Sequence, residues 1–333
     1  MSTLGVPVPW FDLPADQLVA YRTPTPEPDG LDDWWRTRLD KSRAAAEPPV
    51  LTRYEPELYG ALPVWDVEFS GCDGDPVRAW YLRPPGSAAD TPLPTVVTFI
   101  GYGGGRGLPV EHTLLPSAGF AVFVMDVRGQ GGRASIGATS DRGAALDGPT
   151  HPGMMTRGLD SPENYYFTRL LADAARAVEV VADLDGVDRD RIAVSGGSQG
   201  GAQALAAAAL TDLVKVCHAD IPFLCDIQRA VTVSSTTPYT EVADFLAQQI
   251  DLVPTALDTL RYVDCALLAR RITAECLLSV GLMDPVCPPS TVYAAYNEIT
   301  ATKDLAVFPF TGHAVPRSHV ERQLRHLRAV LVP

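Results

Sequence analysis

The chain has 333 residues, with 40 Asp and Glu against 27 Lys and Arg and a formal net charge of −13. That acidity argues against nucleic acid or anionic membrane as a partner and suits a soluble enzyme of neutral or cationic small molecules. Hydrophobic content of 46 % beside 20 % charged residues supplies a substantial core, in a length that one α/β domain with insertions can reach.

Residues 1–50 are rich in Pro and Asp, with Phe11, Tyr21, Trp34 and Trp35 as apolar anchors. They read as an extended arm and a helix from about Leu31 to Ala46, capped by Asp29 or a neighbour. The tryptophan pair needs burial, on the domain or against a partner subunit. Met1 to Trp10 lacks the basic and apolar regions of a signal peptide, and no apolar run reaches the ~18 residues of a membrane helix.

Val64 to Phe69 alternates, Gly71 to Gly74 turns and Val77 to Leu82 resumes, which predicts a β-hairpin. Pro94 to Ile100 is a nearly unbroken β-branched run, suited to a strand buried on both faces. It opens onto Gly101-Tyr102-Gly103-Gly104-Gly105-Arg106-Gly107. A dinucleotide fingerprint would need glycine where Arg106 stands, so a dehydrogenase reading loses its anchor. Phe120 to Asp126 is another buried strand and leads into Arg128-Gly129-Gln130-Gly131-Gly132.

Residues 133–163 form a long polar loop with Gly137, Gly143, Gly148, Gly153 and Gly158, a length that points to function or a subunit contact. Ser161 to Asn164 reads as the cap of a helix over Tyr165 to Leu184. Beyond the strand at 191–195, the pattern predicts a helix after Ser198, strands at 214–220, 275–280 and 305–310, and helices at 289–299 and 318–331. Residues 226–271 read as a helical cap segment over the strand ends. Strands alternating with helices predict a mostly parallel sheet covered on both faces. The economical organisation is an arm and helix over 1–50 and one catalytic domain over 51–333.

Gly196-x-Ser198-x-Gly200, between an apolar run and an Ala/Leu/Gln tract, fits a nucleophile elbow. Such a turn lifts the serine hydroxyl out of the sheet and leaves the Gln199 N–H at a helix N-terminus, facing a developing oxyanion. A serine needs a histidine base, and the histidine an orienting carboxylate. Asp284 and His313 each follow a late strand, in the Ser–Asp–His order of the α/β-hydrolase fold. His112, His151 and His218 precede Asp284 and break that order, and His319 and His326 fall in the closing helix with packing or solvent roles. Cys72, Cys217, Cys225, Cys265, Cys276 and Cys287 show no C-x-x-C spacing. They read as free buried thiols of a reducing cytoplasm, with neither a disulfide framework nor a zinc site.

With these residues laid out, the chain resembles the acetyl xylan esterase / cephalosporin-C deacetylase family, carbohydrate esterase family seven. The resemblance rests on Asp12-Leu-Pro14, Tyr21-Arg22, Gly101-Tyr102, Arg128-Gly129-Gln130-Gly131, Thr156-Arg157-Gly158-Leu-Asp160 and Tyr165-Tyr166. It continues through Asp173 to Ala177, Gly197-Ser198-Gln199-Gly200-Gly201, Pro222-Phe223-Leu224, Gly281-Leu-Met-Asp284 and Pro288-Pro289-Ser290-Thr291, so it covers essentially the whole chain. It implies an α/β-hydrolase fold with Ser198 as nucleophile, His313 as general base and Asp284 as orienting acid. It further implies an oxyanion hole from the Tyr102 and Gln199 N–H groups, and Arg128 and Gln130 as structural braces. Pro222 with the Tyr102 ring would narrow the acyl pocket. Family members are typically cytoplasmic, free of metal or cofactor, and homo-oligomeric as hexamers. One departure stands out: Ala314 follows His313 where the family has Glu, a position outside the triad.

The expected function is removal of acetyl groups from small acetylated carbohydrates or cephalosporin C-like acetates through an acyl-serine. The alternatives are a general short-chain carboxylesterase, a peptidase-like acyl hydrolase, or a non-catalytic binding protein on the same fold.

Overall fold

The computed structural model describes residues 9–88, 90–142 and 152–332. Gly143, Gly148 and His151 therefore lie outside the described residues. Among those described, nine strands make one sheet: β1 (Val50–Arg53), β2 (Val64–Ser70), β3 (Pro76–Leu82), β4 (Leu93–Phe99), β5 (Ala121–Met125), β6 (Val187–Gly197), β7 (Val214–Asp220), β8 (Glu275–Gly281) and β9 (Lys303–Phe308). Their order is β1-β2-β3-β5-β4-β6-β7-β8-β9. The pairings among β1, β2, β3 and β5 are antiparallel, and those from β5 through β4 to β9 are parallel. The expected hairpin is β2–β3, in register from Val64 opposite Leu82 to Ser70 opposite Pro76. β1 was not expected: it is a four-residue edge strand exposed throughout, too short to carry a period.

Two helices lie in the arm, α1 (Ala15–Leu18) and α2 (Leu31–Ala44), and α3 (Leu114–Ser117) precedes β5. α4 (Tyr166–Ala182) and α5 (Gln199–Leu210) flank β6 in sequence. Between β7 and β8 come α6 (Ile227–Val233), α7 (Tyr239–Gln248), α8 (Val253–Arg261) and α9 (Cys265–Leu268). α10 (Pro289–Glu298) and α11 (His319–Leu331) follow β8 and β9. One extended core joins α4 and α5 to the sheet, while Leu327 and Leu331 of α11 pack on Val96, Ala193 and Val216 in a separate cluster. Burial on both faces explains the unbroken apolar runs of β4 and β5.

One helix start falls at the neighbour of Asp29, within the expectation, and one differs from it. The N-cap of α2 is Gly30 at φ 71 and ψ 23 without a side-chain cap bond, so Asp29 does not cap it. The chain enters by a left-handed turn that glycine adopts freely, and Asp32 and Asp33 sit inside the first turn, where the helix dipole favours them. The N-cap of α4 is Tyr165, extended and without a side-chain cap bond. Ser161 to Asn164 is a turn instead, with the Tyr165 N–H donating to Ser161 O at 3.0 Å.

The arm is strapped to the domain by polar contacts. Asp12 accepts from Arg229 Nη2 at 2.6 Å and from the Ser290 N–H at 2.7 Å, and Tyr21 Oη donates to Asp226 at 2.7 Å. The tryptophan pair buries on this chain's own α8 end: Trp35 Nε1 donates to Tyr262 O at 2.9 Å, and the Trp34 ring lies 4.8 Å from that of Tyr262. Trp35 is fully enclosed, and truncating such a ring costs roughly 3–5 kcal/mol.

Candidate active site

β6 ends at Gly197 and α5 begins at Gln199, leaving Ser198 alone in the turn at φ 57 and ψ −118. That conformation stores on the order of 1–3 kcal/mol of strain in a non-glycine residue. It is held by the Ser198 N–H on Asp220 O (2.8 Å) and by Ser198 O, which accepts from Phe223 and Ala202 at 3.0 Å each. The flanking glycines are sterically required. A Cβ on Gly196 would stand 2.4 Å from the Gly200 carbonyl, and one on Gly200 would stand 2.4 Å from Phe99 O.

The loops after β8 and β9 converge on this serine. His313 Nε2 lies 2.9 Å from Ser198 Oγ, and His313 Nδ1 lies 2.9 Å from Asp284 Oδ2. Asp284 is fully buried, and its Oδ1 accepts from the N–H groups of Val286 and Cys287 at 2.8 and 3.0 Å. The two loops are cross-linked by Leu282 N–H on Phe308 O and Met283 N–H on Thr311 O, each 3.0 Å. A buried carboxylate that holds one imidazole nitrogen leaves the other directed at a hydroxyl, which is the arrangement that activates serine for acyl transfer. Cys287 is packed against the same serine. Burial pushes its thiol well above the ordinary range and the Asp284 charge adds to that, while a hydrogen bond with Ser198 pulls the other way.

The backbone N–H groups of Tyr102 and Gln199 have no acceptor among the described residues. Gln130 ties their two segments together. Its Oε1 accepts the Gly103 N–H at 2.5 Å, and its Nε2 donates to Gln199 Oε1 and Tyr166 Oη at 2.8 Å each. Behind it lies Arg128, fully buried, forked onto Asp173 by Nε–Oδ2 at 2.6 Å and Nη2–Oδ1 at 2.7 Å. Burial is the largest single influence and works against its charge, but Asp173, Cys72 and Asp141 together outweigh it and hold the guanidinium well above its ordinary value.

The hollow over Ser198 encloses about 140 Å³ and is lined by Gly101, Tyr102, Arg133, Thr237, Pro238, Val286 and His313. Pro222 does not line it. That residue lies beneath the elbow helix, its Cα 3.1 Å from where a Gly201 Cβ would stand. The wall is closed by Thr237, Pro238 and Val286, and the Tyr102 ring is anchored by Glu241, at 2.9 Å from both carboxylate oxygens. These residues, with Arg133, carry no local pattern that marks them in the sequence. Only the packing of α7 and of the loop after β5 brings them to the serine.

The other histidines are elsewhere. His112 Nε2 pairs with Arg106 O at 2.7 Å. His218 of β7 stacks on His326 of α11 with Nε2 and Nδ1 2.9 Å apart, and His319 is buried beside Asp220. Ala314 is exposed. All six cysteines are buried and unpaired. Among the described residues no group of His, Cys, Asp or Glu is placed to hold a metal ion, and no helix is long and apolar enough to cross a membrane.

Comparison with known proteins bears on the family and the fold. The family model described as acetyl xylan esterase (AXE1) matches residues 8–329. The solved acetyl xylan esterase from Paenibacillus sp. R4 is 34 % identical with a TM-score of 0.89, covering 96 % of this chain and 100 % of that one. Acetyl xylan esterase 1 from Thermoanaerobacterium sp. JW/SL YS485 is 33 % identical with a TM-score of 0.87, covering 96 % and 99 %. The acetyl esterase Axe7A of Xylanibacter ruminicola is 27 % identical over 294 residues, which are 87 % of this chain and 64 % of that protein. This chain thus spans somewhat under two thirds of that curated relative's length. The chain belongs to the acetyl xylan esterase family and has its α/β-hydrolase fold.

Proposed function

We propose that this acetyl xylan esterase family member is a serine carboxylesterase that removes acetyl groups from small acetylated carbohydrates or cephalosporin C-like acetates. The observation that carries the reading is the hydrogen-bonded chain from Ser198 through His313 to Asp284, at 2.9 Å per link. Ser198 Oγ attacks the acetyl carbonyl as His313 Nε2 takes its proton, and Asp284 holds the imidazolium through Nδ1–H. The oxyanion accepts the Tyr102 and Gln199 N–H groups. His313 returns the proton to the departing alkoxide, leaving acetyl-Ser198. It then takes a proton from water as the water oxygen attacks the acetyl carbon, and passes that proton to Ser198 Oγ as the acyl–Oγ bond breaks and acetate leaves. A hollow of about 140 Å³ suits a two-carbon acyl group, being well below the several hundred Å³ of a typical ligand pocket. Gln130 and Arg128 brace the donor loops.

We further propose a cytoplasmic homo-oligomer. Six unpaired buried thiols suit a reducing compartment. Phe310 and Trp10 are 80 % and 59 % exposed and adjoin through Trp10 Nε1 on Pro309 O, an apolar patch that a second subunit would cover.

The test is hydrolysis of acetyl, butyryl and octanoyl esters of one alcohol by the wild type and by Ser198→Ala. Acetyl preference, abolished in the variant, is expected. Preference for octanoyl would overturn the acetyl reading, and equal rates in both proteins would overturn the serine mechanism.

A further inference from the structure

Arg133 stands at the rim of the hollow over Ser198 and His313 with no role in the chemistry derived above. Its N–H donates to Gly103 O at 3.2 Å. Its Cβ and Cδ lie 3.3 and 3.4 Å from where a Gly103 Cβ would stand, so its aliphatic stem is laid along the backbone next to Tyr102. Gly103, at φ 80, provides both the turn and the space. Among the described residues the Arg133 guanidinium has no carboxylate partner and no hydrogen-bond acceptor, although acidic residues outnumber basic ones by 40 to 27. Among the described residues it is also the sole Lys, Arg, Asp or Glu in the lining of the hollow.

We propose that Arg133 selects acetate esters whose alcohol portion carries a carboxylate. This rests on the esterase reading above and names the substrate class of that same site. An acetyl group carries only a methyl beyond the attacked carbonyl carbon, so whatever reaches a side chain at the rim belongs to the alcohol. A guanidinium is a planar fork of N–H donors that matches a carboxylate in a bidentate pair. The net charge of −13 repels an anionic ester at a distance, and salt screens that repulsion beyond about 8–10 Å. Inside that range Arg133 supplies the positive charge in the described lining of the hollow. Since the contact is made equally before and during acyl transfer, it acts on KM and leaves kcat to the triad.

The experiment compares phenyl acetate with 3- and 4-acetoxybenzoate in the wild type, Arg133→Gln and Arg133→Lys. Intrinsic differences in ester reactivity cancel when each variant's anionic-to-neutral kcat/KM ratio is divided by that of the wild type. The ratio is expected to fall on the order of tenfold in Arg133→Gln, through KM, because a charge-assisted pair at an exposed rim is partly screened. Partial recovery is expected in Arg133→Lys, which keeps the charge and loses the fork. A ratio unmoved in Arg133→Gln while all three esters turn over overturns the assignment and leaves the esterase reading intact. Failure of the wild type to hydrolyse phenyl acetate overturns the esterase reading itself, and this assignment with it.

Discussion

Tyr102 Oη stands 2.9 Å from both carboxylate oxygens of Glu241 and accepts the Met154 N–H at 2.6 Å. Glu241 Oε2 also accepts the Met155 N–H at 3.1 Å, so one half-buried phenol ties the loop after β4 to Met154 and, through Glu241, to Met155 and α7. Burial pushes the phenol up and the Glu241 charge pushes it further, so it remains a protonated donor. The same residue presents the backbone N–H assigned to the oxyanion. Glu241→Ala should therefore loosen that donor and lower kcat on an acetyl ester by roughly 10–10²-fold with little change in KM. Steady-state kinetics checks this, and an unaltered kcat would separate the phenol's anchor from catalysis.

Arg128 and Asp173 form a pair with no exposed surface on either side chain. Asp75 and Asp141 add contacts at 3.1 and 3.3 Å, and Asp173 also accepts the Cys72 N–H at 2.7 Å. Replacing the arginine strands buried carboxylates, a change that costs about 3–5 kcal/mol. Arg128→Met should lower the free energy of unfolding in urea by that amount. Arg128→Lys should also be clearly destabilised, since an ammonium cannot occupy both oxygens of Asp173 in the fork geometry.

Two buried groups titrate in opposite senses. Burial, and then the neighbouring His326, lower His218 to about 3, while Asp220 opposes and His319 adds to the lowering. The unfolded chain therefore binds a proton at this site between about pH 6.5 and 3 that the folded chain does not, and stability is lost as pH falls through that window. Burial raises Asp264 to about 7 against the pull of the Asp226, Ile227 and Ala266 N–H groups. There the folded chain holds the extra proton, so stability is lost as pH rises from about 4 to 7. Urea midpoints at pH 4.5–7.5 test both. The stability difference, wild type minus variant, should shrink with acidification for His218→Gln and grow with acidification for Asp264→Asn. Parallel curves for either variant would contradict its assignment.

What the sequence revealed about the site tracks what is sterically local. The Gly196 and Gly200 contacts leave no room for a Cβ, so the elbow is written in residue type. Asp284 and His313 were legible because each closes a parallel strand, β8 or β9, on the edge where the elbow emerges. Glu241, Thr237, Pro238 and Arg133 were not legible, because their approach to Ser198 depends on how α7 and the loop after β5 fold back. The Trp34–Trp35 pair demanded burial without saying where; Tyr262, over two hundred residues away, provides it. The His218–His326 contact, with a separation of 108 residues, left no periodic trace either.

The six cysteines yield a last prediction because one of them touches the nucleophile. The thiolate is the group that attacks a disulfide reagent, so reactivity requires both access and ionisation. Cys72, Cys217, Cys225, Cys265, Cys276 and Cys287 are all buried. Burial, reinforced by Asp173, pushes Cys72 up to about 11, and burial lifts Cys225 and Cys287 well above the ordinary thiol range. Native protein should therefore bind no aromatic disulfide reagent over minutes and keep its esterase activity, whereas in urea all six thiols should react. Because Cys287 lies against Ser198, its modification would fill the space beside the hydroxyl. If native protein took up one equivalent of reagent and activity fell in step, the nucleophile's surroundings would be open from the Cys287 side, contrary to the enclosure described here.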